Sequence, residues 1–166
     1  VIMLPVTNLS AGISTAAAQN MGAQEPERAR RALWVGGGMM VVVTAALAVL
    51  VAAVGGSLIA MFGVSEESTA IGRTFFRSIS IFYPIYGLAM SLRGYLEGVG
   101  DVLFSSAVGV SALALRIVLS YALAEAVGNQ IIPYAEAASW GAMLLFFSLR
   151  FIWRERKARK RQAARE

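Results

Sequence analysis

Arg116 is the one charged residue between Asp101 and Glu125. It lies 14 residues beyond Val102, about 21 Å along a helix. A guanidinium at that depth in an apolar segment faces a partner or a water-filled path, or it snorkels toward headgroups, where Glu125 and Glu136 are the carboxylates it could meet. Tyr83 and Tyr86 lie either side of Pro84, and Thr7 and Asn8 place a hydroxyl and an amide in another apolar stretch. Such groups can hold a flat organic cation through cation–π contacts and hydrogen bonds, or they can simply satisfy neighbouring helices. Covalent chemistry fits poorly. Without Cys or His, the chain has no thiolate or imidazole nucleophile, proton shuttle or soft metal ligand. No enzyme activity, metal or cofactor is expected.

The elements that must position these residues are apolar. Hydrophobic residues make up 57% of the 166, charged ones 15%, and mean hydropathy is +0.63, more apolar surface than one globular core of this size can bury. Residues 32–62 are 31 consecutive uncharged positions, about 46 Å of helix against a hydrocarbon core of about 30 Å. Four further segments, at 1–20, 66–94, 101–125 and 132–153, are interrupted by polar groups and must turn those faces toward protein or water. The expectation is an all-α integral membrane bundle of about five transmembrane helices over residues 1–153, with a basic tail at 154–166. The chain opens on Val1 with no basic stretch before its first apolar run, so it is read as the interior of a longer polypeptide and not as a cleaved leader.

Charge sets the orientation. The net charge of +5 resides in the end of the chain, where residues 150–166 carry eight Lys/Arg against two acids. This argues against nucleic acid and for a juxtamembrane segment drawn to anionic lipid. Counted by connection, twelve Lys/Arg fall on one side and two on the other. The positive-inside rule therefore puts residues 19–31, 93–101 and the C-terminus in the cytoplasm. In QEPERARRAL, Pro26 suits a first helical position, and Glu25 and Glu27 suit a helix's positive end. Ser65 followed by Glu66 and Glu67 reads as an N-cap, Pro84 as a mid-membrane kink, and Gly128, Asn129, Gln130 and Pro133 as an outer turn. Gln19 and Asn20 either cap the first helix, with Gly22 in a left-handed turn, or form a cytoplasmic gate. Gly98, Gly100 and Asp101 lack the context of a phosphate loop, and Asp101 reads as the N-cap of the fourth helix.

The string AGISTAAAQNMGAQEPERARRA, with Gln19-Asn20-Met21-Gly22-Ala23 and then Glu27-Arg28-Ala29-Arg30-Arg31, resembles the signature that closes the second helix of each lobe in multidrug and toxic compound extrusion (MATE) transporters. LIAMFGVSEE, YPIYGLAMSLRGYLEGVGDVLFSSAVGV and LRIVLSYALA resemble later helices of that family in the same order, with Gly98-Val99-Gly100-Asp101 at its recurring turn. The resemblance implies most of one six-helix lobe of a twelve-helix protein, paired with a missing N-terminal lobe. It also implies export of amphipathic, often cationic, small organic compounds across a bacterial inner membrane, in exchange for H⁺ or Na⁺, by alternating access. The segment 66–94 has no acidic residue between Thr69 and Glu97, and none stands mid-membrane in the first, second or fourth segments, so a coupling carboxylate is expected outside this chain. A lipid-linked oligosaccharide flippase of the same superfamily, a polytopic membrane enzyme and a membrane scaffold are the rival readings.

Overall fold

The computed structural model describes residues 3–128 and 131–164; Asn129 and Gln130, two of the expected outer-turn residues, lie outside them. Six helices follow one another: α1 (Leu4–Gly22), α2 (Pro26–Ala60), α3 (Glu66–Ser80), α4 (Tyr83–Gly98), α5 (Val102–Val127) and α6 (Ile131–Ala163). No strand occurs among the described residues. Three of the helices, α2, α5 and α6, are long and apolar enough to cross a membrane, and α3 with α4 passes as a fourth, bent span. The outer faces agree. Val42, Val49, Leu103 and Val110 are each at least 69% exposed, a pattern that a water-soluble monomer avoids and that hydrocarbon favours. The protein is a multi-pass all-α membrane protein.

Each helix starts or stops for a local reason. Pro26 occupies the first turn of α2, with Glu27 beside it, so the charged loop segment and the apolar run form one helix of 35 residues. Ser65 accepts from the Ser68 backbone N–H at 3.2 Å, and Glu66 and Glu67 follow it at the positive end of α3, as the sequence predicts. The segment expected as one kinked helix is two. α3 and α4 meet at 55° across Ile81 and Phe82, and Pro84 sits in the first turn of α4, where its missing N–H and fixed φ are tolerated. The break thus precedes the proline. α6 continues without interruption from its apolar half into the basic segment, as far as Ala163.

Two turns differ from expectation. Gly22 is the last residue of α1 and is helical; the left-handed position falls on Gln24, at φ 59°, while the Glu25 N–H reaches back to Asn20 O at 2.8 Å. The α4–α5 turn repeats this geometry with Gly100 at φ 91° and the Asp101 N–H on Leu96 O, also at 2.8 Å. Asp101 makes no side-chain cap on α5.

α4 is the central helix, packed on α1, α2 and α6. Its glycines explain how. A Cβ on Gly94 would collide with the Ser10 carbonyl oxygen, and one on Gly98 would overlap the Ser14 carbonyl and stand 2.8 Å from Ala17 Cβ. Ser10 Oγ donates to Met90 O at 2.7 Å across the same contact. Gly98 therefore serves close packing as well as the turn, in the small-residue manner of membrane helices. α1 is not apolar enough to count as a span by itself. It buries Val6, Ser10, Ile13 and Ala17, one residue per turn, against its neighbours.

Replacing Gly94 by Leu is expected to lower thermal stability in detergent by about 1–3 kcal/mol, because the Ser10 backbone must move. Gly141→Ala, where a Cβ meets nothing within 4 Å, should melt with the wild type. Equal melting of Gly94→Leu and wild type would refute the close-approach account.

Candidate functional site

A cavity of about 590 Å³ lies between α3, α4, α5 and α6. α4, α5 and α6 each contribute one face. Tyr83, Tyr86, Met90 and Arg93 come from α4, Gly109, Ala112 and Arg116 from α5, and Glu136, Ser139, Trp140 and Met143 from α6. The recurrence at three, four and seven residues is the signature of one helical stripe. The break at Ile81 and Phe82 brings Phe75, Phe76 and Ile79 of α3 over one end.

The wall is aromatic with charge at both ends. Trp140 packs against Tyr86 at 4.9 Å between ring centroids and against Tyr83 at 6.0 Å. Arg116 Nη1 donates to Glu136 Oε1 at 3.0 Å, with both side chains partly buried. Of the two carboxylates proposed for Arg116, Glu136 is the one in contact. Arg93 Nε donates to Glu97 Oε1 at 2.7 Å, one turn further along α4. Helix directions place these pairs at opposite ends of the cavity. Each arginine is neutralised by a glutamate, so the cavity has aromatic faces and hydrogen-bonding groups with little net charge. Such a surface can take a flat, amphipathic molecule.

The structure brings Tyr83, Tyr86 and Arg116 together and leaves Thr7 and Asn8 out. Both of these are exposed on α1, and Thr7 Oγ1 donates to Leu4 O at 3.0 Å. Arg93 lies not in a loop but on α4, facing the cavity. Trp140 and the cavity-facing position of Glu136 escaped the sequence reading. The spacing Glu136, Ser139, Trp140, Met143 was the available signal.

The turn residues gather elsewhere. Arg150 grips Asp101 with two bonds, Nε to Oδ2 at 3.0 Å and Nη2 to Oδ1 at 2.8 Å, and Arg154 Nη1 adds a third contact at 2.8 Å. Arg154 also donates to Val99 O, and Arg30 Nε meets Glu155 Oε2 at 3.1 Å. Three segments that the charge count assigns to one side, the α1–α2 turn, the α4–α5 turn and the α6 extension, thus meet at one end of the bundle. The Arg150 hydrogen bonds hold the Asp101 carboxyl below its usual range; burial opposes this, and the Arg154 hydrogen bond and charge add to it. Asn20 Nδ2 donates to Ala16 O at 2.7 Å within α1, while Gln19, Gly22 and Ala23 are exposed beside it.

The MatE family model matches residues 1–122, which include α1 to α4 and most of α5. The "Probable multidrug resistance protein YoeA" of Bacillus subtilis (strain 168) is 19% identical over 161 residues, covering 94% of this chain and 35% of that protein. The chain therefore spans about a third of the length of the curated relative it matches. No solved structure matches at comparable stringency.

Two outcomes are expected from these contacts. In a double-mutant cycle, Glu136→Leu or Arg116→Leu alone should cost about 1–3 kcal/mol by stranding a charge, and the double variant less than the sum; strict additivity in detergent melting would show the pair to be uncoupled. Asp101 has a depressed folded pKa, so its pairing stabilises above the unfolded value of about 3.9 and is lost as pH falls through the lower folded value. The melting difference between wild type and Asp101→Asn should accordingly stay constant near neutrality and shrink only in strong acid. A difference that vanishes already at pH 6 contradicts this.

Proposed function

Because the chain belongs to the MatE family, we propose that it forms part of a secondary multidrug efflux transporter, which exports amphipathic, cationic organic compounds in exchange for H⁺ or Na⁺. In this reading the end carrying Arg30, Asp101 and Arg154 faces the cytoplasm of a bacterial inner membrane, and the cavity is this lobe's portion of a path exposed alternately to the two sides. The observation that carries the proposal is the cavity itself, with Tyr83, Tyr86 and Trp140 on its wall and Glu136 held by Arg116. A cationic guest stacked on Trp140 would compete with Arg116 for Glu136. The coupling carboxylate expected outside this chain has a candidate within it in Glu136.

The flippase reading needs several unneutralised cations for a pyrophosphate head. Arg93 and Arg116 are each paired with a glutamate, which favours the multidrug reading over it.

The test is accumulation of a planar aromatic cation such as ethidium in a bacterium lacking its own pumps and expressing the full-length gene product. Wild type is expected to lower accumulation, and Trp140→Ala to weaken export several-fold, in keeping with about 0.5–2 kcal/mol for a cation–π contact. Glu136→Gln should remove the dependence of export on external pH or Na⁺. Accumulation unaffected by the protein, or export indifferent to Trp140, would defeat the proposal.

A further inference from the structure

We propose that the end of the bundle where the two turns meet α6 binds one anionic phospholipid of the adjoining leaflet, its phosphate in a basic pocket and an acyl chain in an apolar groove beneath. The pocket, of about 560 Å³, opens between the start of α2, the end of α4 and residues 150–158 of α6. Arg30, Arg150, Arg154 and Lys157 line it. Their carboxylate partners are fewer: Asp101 serves both Arg150 and Arg154, Arg30 meets Glu27 and Glu155, and Lys157 meets no carboxylate among the described residues, its ammonium standing 4.9 Å from the centre of the Trp153 ring. Arg156, Arg159 and Lys160 are exposed on the same part of α6. The pocket therefore keeps a positive excess in which a phosphate can replace water on free N–H groups.

The groove selects a lipid over a free anion. One helical turn deeper on all three helices, from Arg30 to Trp34, from Tyr95 to Leu92 and from Lys157 toward Ile152, the lining becomes almost wholly apolar around about 450 Å³. Phe151 stands at the junction, edge-on to Trp34 at 6.2 Å and to Tyr95 at 5.6 Å. Gly37 and Gly38 line the groove, and a Cβ on Gly38 meets nothing within 4 Å, which leaves room for a chain. Trp34 and Trp153, both substantially exposed, mark the headgroup level. A basic pocket directly above an apolar slot has the shape and polarity of one phospholipid. A zwitterionic headgroup adds a cation that this pocket repels. The inference is independent of what crosses the central cavity.

The test is native mass spectrometry of the full-length gene product in detergent with phosphatidylglycerol, phosphatidylcholine or inorganic phosphate. Phosphatidylglycerol should be retained in preference. Lys157→Gln should reduce that preference about fivefold, as expected for one basic residue at a lipid surface. Gly38→Leu should fill the slot and abolish retention without changing the lipid-free melting temperature. Equal retention of the two lipids, insensitivity to both variants, or competition by inorganic phosphate as strong as by phosphatidylglycerol would overturn the proposal. So would a photocrosslink from position 38 to another segment of the protein in place of lipid.

Discussion

The close approach of α1 and α4 sets the geometry on which the other contacts depend. With hydrocarbon outside, apolar side chains gain little by leaving it for one another, so association rests on packing and on polar contacts between helices. Gly94 and Gly98 let the α4 backbone reach the carbonyls of Ser10 and Ser14, and Ser10 returns a hydrogen bond to Met90 O. Gly87 makes room for side chains of α2, where a Cβ would lie 2.7 Å from Thr44 Cγ2. With its small face committed to α1 and α2, α4 turns Tyr83, Tyr86 and Arg93 the other way. The cavity lies where they point.

Charge inside the bundle obeys the complementary constraint. Every arginine facing the cavity has a glutamate: Arg93 with Glu97 on its own helix, Arg116 with Glu136 across two helices. At the end of the bundle the rule relaxes, and two arginines share Asp101 while α6 continues into exposed basic residues. Paired charges line the interior and surplus positive charge collects at one end, the distribution that places a helix bundle in a bilayer with a defined orientation.

Features carried by local pattern were legible in the sequence. The uncharged run 32–62 announced a span, Pro26 and Ser65 announced helix starts, and the Gln19–Ala23 and Gly98–Asp101 strings pointed to the family. Features carried by distant partners were not. Asp101 looked like a cap because its neighbours suit one; its actual partners, Arg150 and Arg154, stand about fifty residues away. Gly98 looked like a turn residue, and only the path of α1 shows why a Cβ is excluded there. The left-handed residue fell on Gln24 and not on Gly22 because α1 runs two residues past the motif's polar pair before it turns. Arg116 drew attention by depth alone, while the choice of Glu136 over Glu125 required the α5–α6 packing.

The central claim is that the outer faces of these helices lie in hydrocarbon while the face shared by α4, α5 and α6 is wet. The chain has no cysteine of its own, so single cysteines can report on it directly. In membrane vesicles of the full-length gene product, with any other cysteines removed, a small water-soluble thiol reagent is expected to label Gly109→Cys and Leu113→Cys in the cavity and to spare Val42→Cys and Val110→Cys on the outer faces. Equal labelling of the two sets, or labelling of the outer positions alone, would contradict it.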